Sequence, residues 1–298
     1  MIWLIGCKGM LGTELSLLLE KYNLPFIGTD CEVDITDLSA LNSFAENKSF
    51  KWIINCAAYT AVDKAEDDID NCRRINTLGA LNISICSRTT GAYLIHISTD
   101  YVFDGKGIIA GKDCRPYRED DITNPIGVYG LTKRDGELAV LVNNSNSYII
   151  RTSWLYGIYG NNFVKTMLRL MNVRNEIKVV DDQRGSPTWA YDLAFLIFTI
   201  INDFNQCNKN HSFGIYHFSN DGAITWYEFS KEIYKQGKLL SLINNNCNIL
   251  PCSSNEYPSK VTRPTYSVLD KSKIKKMLNI AIPLWHDSLN GYLKLCII

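Results

Sequence analysis

The sequence predicts an α/β fold in which a doubly wound parallel sheet is followed by a smaller C-terminal α/β lobe. Three observations support this prediction. Short apolar runs alternate with longer helical patterns through the first half of the chain. A glycine-rich turn directly follows the first apolar run. After Trp154 the apolar runs become less regular, as expected where a large sheet ends. Together they indicate a Rossmann-type sheet with an added lobe.

Composition excludes several classes of function. The chain has 298 residues and 46% hydrophobic content, enough for a substantial core. Its 31 basic and 31 acidic residues balance, which argues against nucleic acid or an anionic membrane surface as a partner. The apolar run at residues 193–201 is half a membrane span. Ten scattered cysteines without a C-x-x-C pair favour reduced thiols in a cytoplasmic protein, and the histidine spacing predicts no metal site.

The order of the predicted elements follows the alternation of patterns. Strands are predicted at residues 2–5, 26–29, 52–56, 92–98 and 148–151, and helices at residues 11–22, 38–47, 68–89 and 125–142. In the second half, helices at 163–173 and 225–236 are interleaved with short strands at 178–180 and 215–218, which we assign to the smaller lobe. We therefore expect residues 1–152 to form the first domain and 153–298 mainly the second, with segments near 186–205 packing back on the first.

The turn after the first predicted strand has the sequence GCKGMLG, with Gly6, Gly9 and Gly12 in a GxxGxxG pattern. Glycines there let the backbone approach a pyrophosphate, whose charge then lies at the N-terminus of the following helix. An ordinary tight turn would also use glycine. Since this turn lies between a strand and a helix, we interpret it as a dinucleotide-binding turn.

Acidic and small residues follow the next two strands. Asp30 ends the second strand, where a carboxylate would accept hydrogen bonds from an adenosine ribose and repel a 2′-phosphate, favouring NAD over NADP. An aspartate that merely ends a strand remains the alternative. Asp34 either flanks a turn or borders the adenine together with Ile35. Beyond the third strand, Ala57 and Ala58 would let a cofactor lie against the backbone.

The candidate catalytic pair is Tyr129 and Lys133, which are four residues apart and so lie on one helix face. A nearby ammonium favours the phenolate, so we expect Lys133 to lower the pKa of Tyr129 towards neutrality. With 16 tyrosines, one such spacing is expected by chance, and a second occurs at Tyr234 and Lys238. We interpret that second pair as the solvated end of a helix.

A hydroxyl-rich segment, HISTDYVFDG, ends the fourth predicted strand and contains Thr99. Such a hydroxyl can polarise a substrate carbonyl where negative charge develops. Turn chemistry is the alternative interpretation of Ser-Thr at a strand end. The mechanism requires the fold to bring Thr99 next to Tyr129.

In this order, several segments resemble the dTDP-4-dehydrorhamnose reductases, a family of extended short-chain dehydrogenase/reductases. The resemblance extends from residue 1 to about residue 290 and rests on the segments GCKGMLG, NCAAYTAVDKAE, HISTDYVFDG, YGLTK, RTSWLYG, NNFVKTMLRL, DQRGSPT and RPTYS.

The resemblance implies an activity and a set of site residues. The activity is hydride transfer from NADPH or NADH to the C4 ketone of a dTDP-sugar, giving dTDP-L-rhamnose. The implied catalytic residues are Thr99, Tyr129 and Lys133. The implied cofactor-binding residues are Gly6, Gly9, Met10, Leu11, Asp30, Asp34, Ile35, Ala57, Ala58, Thr60, Tyr129 and Lys133. The implied substrate-binding residues are Thr99, Asp100, Tyr101, Trp154, Asn161 and Asn162.

Some expectations concern partners and alternatives. Certain family members dimerise around a magnesium ion held by glutamates; Glu14 matches one such position, but the second is Tyr191, so we expect a monomer or a homodimer without a metal bridge. Arg184 and Arg263 are candidate cations for a nucleotide diphosphate, with structural ion pairing as the alternative. Alternative functions are a non-catalytic regulatory subunit of the methionine adenosyltransferase type, or reduction of a related 4-keto-6-deoxy sugar nucleotide.

Overall fold

The structure is a computed structural model that describes residues 1–111, 113–207, 212–256 and 259–297. Its strands are β1 (Ile2–Ile5), β2 (Phe26–Thr29), β3 (Trp52–Asn55), β4 (Tyr93–Thr99), β5 (Ile108–Ala110), β6 (Asp113–Arg115), β7 (Ser147–Thr152), β8 (Leu155–Tyr156), β9 (Glu176–Val180), β10 (Arg184–Gly185), β11 (Thr188–Trp189), β12 (Gly214–His217), β13 (Ile224–Thr225) and β14 (Asn248–Cys252).

The α-helices of the described residues are α1 (Met10–Lys21), α2 (Leu38–Ala45), α3 (Val62–Ala65), α4 (Ile69–Arg73), α5 (Ala80–Thr90), α6 (Val128–Asn143), α7 (Phe163–Val173), α8 (Ala190–Cys207), α9 (Trp226–Leu239), α10 (Ser272–Leu278) and α11 (Trp285–Leu295). A π-helical turn, Arg74–Gly79, joins α4 to α5. None of the helices in the described part of the chain has the length and apolar character needed to cross a membrane.

A six-stranded sheet with the order β2-β1-β3-β4-β7-β12 forms the centre of the fold. All of its neighbouring strands are parallel, so their carboxyl ends meet at one edge. The central strands β1 and β3 are nearly continuous runs of buried apolar residues because helices cover both faces of the sheet. One face packs against α1 and α8, and the other against α2, α5 and α6. This architecture confirms the predicted doubly wound parallel sheet.

The sixth strand of this sheet comes from the second half of the sequence. The sequence assigned residues 215–218 to the smaller lobe, but β12 pairs with β7 over Gly214↔Tyr148 to His217↔Arg151. Helix α8 packs on α1. A four-residue strand has the same local pattern in either setting, so only its pairing partner decides which sheet it joins.

Two predicted helices have different limits in the structure. The helix predicted at 68–89 consists of α4, the π-helical turn and α5. The helix predicted at 125–142 begins only at Val128, whose N–H donates to a carboxylate oxygen of Glu66, 2.8 Å away. Glu66 is 62 residues earlier in the chain, so a local search for a helix start does not reveal this capping contact.

A second core lies among α7, α9, α11 and the short strand pairs β8–β11, β9–β14 and β10–β13. Helix α9 begins with a capping box in which Thr225 and Glu228 exchange side-chain and backbone hydrogen bonds. This smaller lobe adjoins the carboxyl edge of the main sheet through β8, which follows β7 after Ser153 and Trp154.

Helix α6 approaches the π-helical turn closely at Gly136. A Cβ atom at this position would lie 2.3 Å from the carbonyl oxygen of Asn76. Alanine normally favours a helix interior over glycine by about 1 kcal/mol. At this position we expect the opposite effect. Gly136→Ala should lower the free energy of unfolding by about 1–3 kcal/mol, because the backbones of α6 and the π-helical turn must separate.

Urea unfolding followed by circular dichroism measures this effect. The control is Leu138→Ala on the solvent side of the same helix, which we expect to change stability by no more than about 0.5 kcal/mol. A more stable Gly136→Ala variant would contradict the close approach.

Candidate active site

A cleft of about 810 Å³ opens at the carboxyl edge of the main sheet. It is bordered by the turn after β1, the ends of β2, β3, β4 and β7, and the start of α6. Of the residues singled out from the sequence, those lining it are Gly6, Gly9, Met10, Leu11, Gly12, Asp30, Asp34, Ile35, Ala57, Ala58, Thr60, Thr99, Asp100, Tyr101, Tyr129, Lys133, Trp154 and Asn161.

Asn162 is the one implied substrate-binding residue that does not line this cleft. Its side-chain oxygen accepts a hydrogen bond from the backbone N–H of Lys165, and its amide donates to the carbonyl of Gly157 at 2.7 Å. Asn162 is thus the N-cap of α7. Both of these contacts are with backbone groups around the start of α7, and the implied role in substrate binding stays a prediction.

The glycine-rich turn is shaped to admit a ligand close to its backbone. Gly6 has φ = +77°, and a Cβ atom there would lie 2.7 Å from the backbone nitrogen of Ala57. Helix α1 begins at Met10 without a side-chain cap, and its first turn lines the cleft, so its first N–H groups have no side-chain acceptor there. Such a turn fits the pyrophosphate of a dinucleotide.

Asp30 lies at the end of β2 and is held in place by the turn after β1. One carboxylate oxygen accepts from the backbone N–H of Lys8 at 3.1 Å, and the other accepts from that of Cys31 at 2.9 Å. Burial raises the pKa of Asp30, but these hydrogen bonds outweigh it and leave the pKa below its ordinary value. The cleft therefore carries a fixed negative charge here.

The other end of the cleft is formed by β4 and the first turn of α6. Lys133 is buried, and its Nζ donates to the carbonyl oxygen of Ile97 at 2.6 Å. Tyr129 lies one turn earlier on the same helix and packs edge-on against Tyr101, with ring centroids 5.5 Å apart. Thr99 lines the same end of the cleft, close enough for its side chain to act on the pKa of Tyr129. The fold therefore brings together the three residues that the mechanism requires.

The expectation that Lys133 brings the pKa of Tyr129 near neutrality was wrong. Burial raises the pKa of Tyr129, and the interaction with the Thr99 side chain offsets only part of the increase. Burial also lowers the pKa of Lys133 to about 8. A sequence spacing reports that two groups are close, but it does not report how much water they lose, and here desolvation has the larger effect.

Asp100 is a buried carboxyl beside this trio, with 4% of its surface exposed. It accepts a hydrogen bond from the Thr99 hydroxyl at 3.0 Å, whereas its second oxygen has no partner in the structure. Burial raises its pKa to about 6. An unpartnered buried oxygen that lines a cleft is available to a ligand.

Sequence reasoning missed two groups near the cleft. Asn76, in the π-helical turn, accepts from the backbone N–H of Tyr59 at 2.8 Å and donates to the hydroxyl of Thr132 at 3.2 Å. It thereby ties the loop after β3 to α6 next to Lys133. Arg74, in the same turn, lines the cleft and adds a cation near Ile35. A π-helical turn gives no distinctive sequence pattern, although such turns are frequent at functional sites.

The two arginines proposed for a diphosphate have protein partners. Arg263 forms an ion pair with Asp63 at 2.6 Å and donates to the hydroxyl of Tyr101 at 3.3 Å. Arg184 donates to the carbonyl of Ala223 at 3.0 Å. Neither arginine lines the cleft. Trp154 does line it, and the ring of Trp154 is stacked on that of Trp226.

The buried Asp100 carboxyl predicts a pH-dependent stability. Its folded-state pKa of about 6 exceeds its ordinary value of 3.8, so folding is penalised as pH rises through this window and fully penalised above pH 6. We expect Asp100→Asn to be stabilised relative to the parent protein by roughly 2 kcal/mol more at pH 8 than at pH 4.5.

Urea unfolding at both pH values tests this expectation. Glu20→Gln, on the exposed face of α1, controls for the general loss of one carboxylate. An Asp100→Asn effect that is equal at both pH values would show that the carboxyl is not desolvated as described.

Comparisons with known proteins show the family of this chain. The chain matches the family described as RmlD substrate binding domain over residues 1–297. It is 35% identical to a dTDP-4-dehydrorhamnose reductase of Aggregatibacter actinomycetemcomitans, over 96% of both chains. It is 36% identical to a dTDP-4-keto-6-deoxy-D-glucose reductase of Streptomyces niveus, over 90% of this chain and 88% of that protein.

A solved structure is similar throughout. The dTDP-4-dehydrorhamnose reductase of Bacillus anthracis, in complex with NADP, superposes with a TM-score of 0.88 and 37% identity, covering 99% of this chain and 98% of that one.

Proposed function

The chain belongs to the family described as RmlD substrate binding domain, and we propose from this premise that it reduces dTDP-4-dehydro-β-L-rhamnose to dTDP-β-L-rhamnose. This is an NAD(P)H-dependent oxidoreductase activity and the last step of dTDP-L-rhamnose biosynthesis. The observation that carries the proposal is the meeting of Thr99, Tyr129 and Lys133 at one end of a cleft whose other end has a dinucleotide-binding turn.

The residues of the trio have distinct tasks in this proposal. When bound in the cleft, NAD(P)H would supply the hydride for the ketone carbon. Tyr129 stays protonated in its buried position, and so it is ready to donate its proton to the ketone oxygen as negative charge develops there. Thr99 orients the carbonyl and the phenol through its hydroxyl. Lys133 anchors the ribose and offsets the charge that the departing proton leaves on Tyr129.

The remaining cleft residues divide between the two ligands. We propose that Gly6, Gly9, Met10, Leu11, Asp30, Asp34, Ile35, Ala57, Ala58 and Thr60 hold the cofactor, and that Asp100, Tyr101, Trp154 and Asn161 hold the sugar nucleotide. Residues 1–152 then form mainly the cofactor-binding part, and residues 153–298 mainly the substrate-binding part. We also propose a cytoplasmic monomer or homodimer without a metal bridge and without nucleic-acid or membrane partners.

The catalytic assignment predicts different outcomes for two tyrosines with the same sequence spacing. We expect Tyr129→Phe to reduce kcat by about two to four orders of magnitude, because the proton donor is lost. Tyr234→Phe should keep the parental kcat, since the Tyr234 hydroxyl lies outside the cleft near the backbone N–H of Cys247.

The assay follows NADH or NADPH oxidation on adding dTDP-4-dehydro-L-rhamnose. No turnover by the unmodified protein at saturating substrate and cofactor would exclude the reductase and favour a binding role such as that of a regulatory subunit. Equal losses in both variants would exclude Tyr129 as the specific donor.

Asp30 predicts the cofactor preference. A fixed carboxylate at the end of β2 repels a 2′-phosphate, so we expect a higher kcat/KM with NADH than with NADPH. Asp30→Ser should raise the NADPH to NADH ratio of kcat/KM by about 10-fold or more, equivalent to about 1.4 kcal/mol. An unchanged ratio would show that another group, such as Arg74, sets the preference.

A second candidate is reduction of a related ketone, since one relative is named for a 4-keto-6-deoxy-D-glucose nucleotide. The two ketone substrates differ in configuration at C3 and C5, and their products keep this difference. The face of the ketone that receives the hydride sets the configuration at C4. Proton NMR coupling constants of the purified product distinguish them.

A further inference from the structure

We propose that Asn55 and His96 form a buried pair that positions and tunes Lys133, by fixing His96 in the tautomer that presents an N–H group to the lysine. The proposal rests on the proposed reductase function for its activity readout. Neither residue lines the cleft, so both would act through Lys133 and not on the substrate.

The first step of the argument is the orientation of the Asn55 amide. Asn55 ends β3 and is buried. Its side-chain oxygen lies 3.0 Å from the backbone nitrogen of Ala57, which can only donate. The amide oxygen is therefore the acceptor in this contact, and the NH2 group must face the other way. In that direction lies Nδ1 of His96, 3.0 Å away.

The second step is the tautomer of His96. Because the Asn55 NH2 group donates to Nδ1, Nδ1 must accept and carry no proton. His96 is buried, and its desolvation, together with the charge of Lys133, holds its pKa well below the ordinary value, so the ring is neutral. The single ring proton is consequently on Nε2. This atom lies 3.5 Å from Nζ of Lys133.

The third step is the effect on Lys133. The Nε2–H group of His96 points at Nζ of Lys133. It repels the ammonium form of the lysine, whereas the neutral amine form can accept a hydrogen bond from it. The charged form keeps the Ile97 carbonyl as its acceptor. The other titratable groups that act on Lys133 are Cys56 beyond β3, Cys72 on α4 and Glu137 on α6, and Glu137 is already paired with Arg151 at 2.7 Å. Burial and the His96 N–H thus act in the same direction.

The fold contains an internal contrast to this arrangement. His217 is also buried, but its Nδ1 lies 3.1 Å from the carbonyl oxygen of Tyr117, which can only accept. Nδ1 of His217 therefore carries the proton, and its Nε2 faces Nη1 of Arg151 at 3.4 Å as an acceptor. The two buried histidines thus have opposite tautomers, and the one beside the cationic arginine presents a lone pair. The one beside Lys133 presents a proton.

Two substitutions at Asn55 test the proposal through the pH profile of kcat/KM. The Lys133 ammonium is lost as pH rises through its pKa of about 8, so the parent protein should lose activity above that value. In Asn55→Asp, the new carboxylate would accept a hydrogen bond from Nδ1–H of His96 and so reverse the tautomer. Nε2 of His96 would then accept a hydrogen bond from the Lys133 ammonium. We expect the basic limb of the profile, which is the fall of kcat/KM at high pH, to move up by about one pH unit. Asn55→Ala frees the tautomer without adding charge and should move the limb in the same direction by less.

Asn144→Asp is the matched control, because it also converts a buried amide to a carboxylate. Asn144 follows the last residue of α6, about 16 Å along the helix axis from Lys133 at 1.5 Å per residue, and its buried amide donates to the Ser87 hydroxyl. We expect its basic limb to coincide with that of the parent. Asn55 variants that fold and turn over but keep the parental basic limb would overturn the proposal, and so would an equal shift in Asn144→Asp.

A measurement on the unmodified protein does not depend on activity or on the folding of variants. Two-bond ¹H–¹⁵N correlation spectra of the ¹⁵N-histidine-labelled protein distinguish the tautomers. We expect two histidines that do not titrate between pH 6 and 9, one protonated on Nε2 and one on Nδ1. Two Nδ1–H rings would overturn the proposal even if the protein is an active reductase. Absence of turnover with the expected spectrum would instead contradict only the proposed function.

Discussion

Two buried cations hold helix α6 against the main sheet, and the candidate active site depends on this attachment. Lys133 reaches the carbonyl of Ile97 on β4, and Glu137, one turn later, pairs with Arg151 on β7. Each charge would cost several kcal/mol to bury alone, so the helix can dock only where both find their partners. Tyr129 precedes these contacts on the same helix and therefore has a defined place at the sheet edge.

The same attachment keeps the polar groups of the site away from water, and this desolvation costs free energy in folding. Lys133, Tyr129 and Asp100 have all lost water, and burial shifts the pKa of each towards its neutral form. Asp100 and the neighbouring Ser98 also have buried oxygens without a partner in the structure. Polar groups in this condition bind a ligand more strongly than hydrated groups do, because part of the desolvation cost has already been met in folding.

Much of the fold and of the candidate site was predictable, for reasons visible in particular residues. The strand-turn-helix order around Gly6 and Asp30 is local, and a parallel sheet necessarily delivers the ends of its strands to one edge. The capping role of Asn162 was not predictable, because an asparagine before a helix has the same sequence pattern whether it caps the helix or meets a ligand. The start of α6 was misplaced because its cap, Glu66, comes from a distant loop.

The sequence by itself determined which elements form, in what order, and which of them end in groups capable of chemistry, because periodicity, turns and motif spacing act over a few residues. Tertiary structure alone decided what those groups experience. The partner of β12, the water lost around Tyr129 and Lys133, and the tautomer of His96 each depend on atoms far apart in the chain. Burial and hydrogen-bond direction are properties of the packed interior, and no local stretch of sequence contains them.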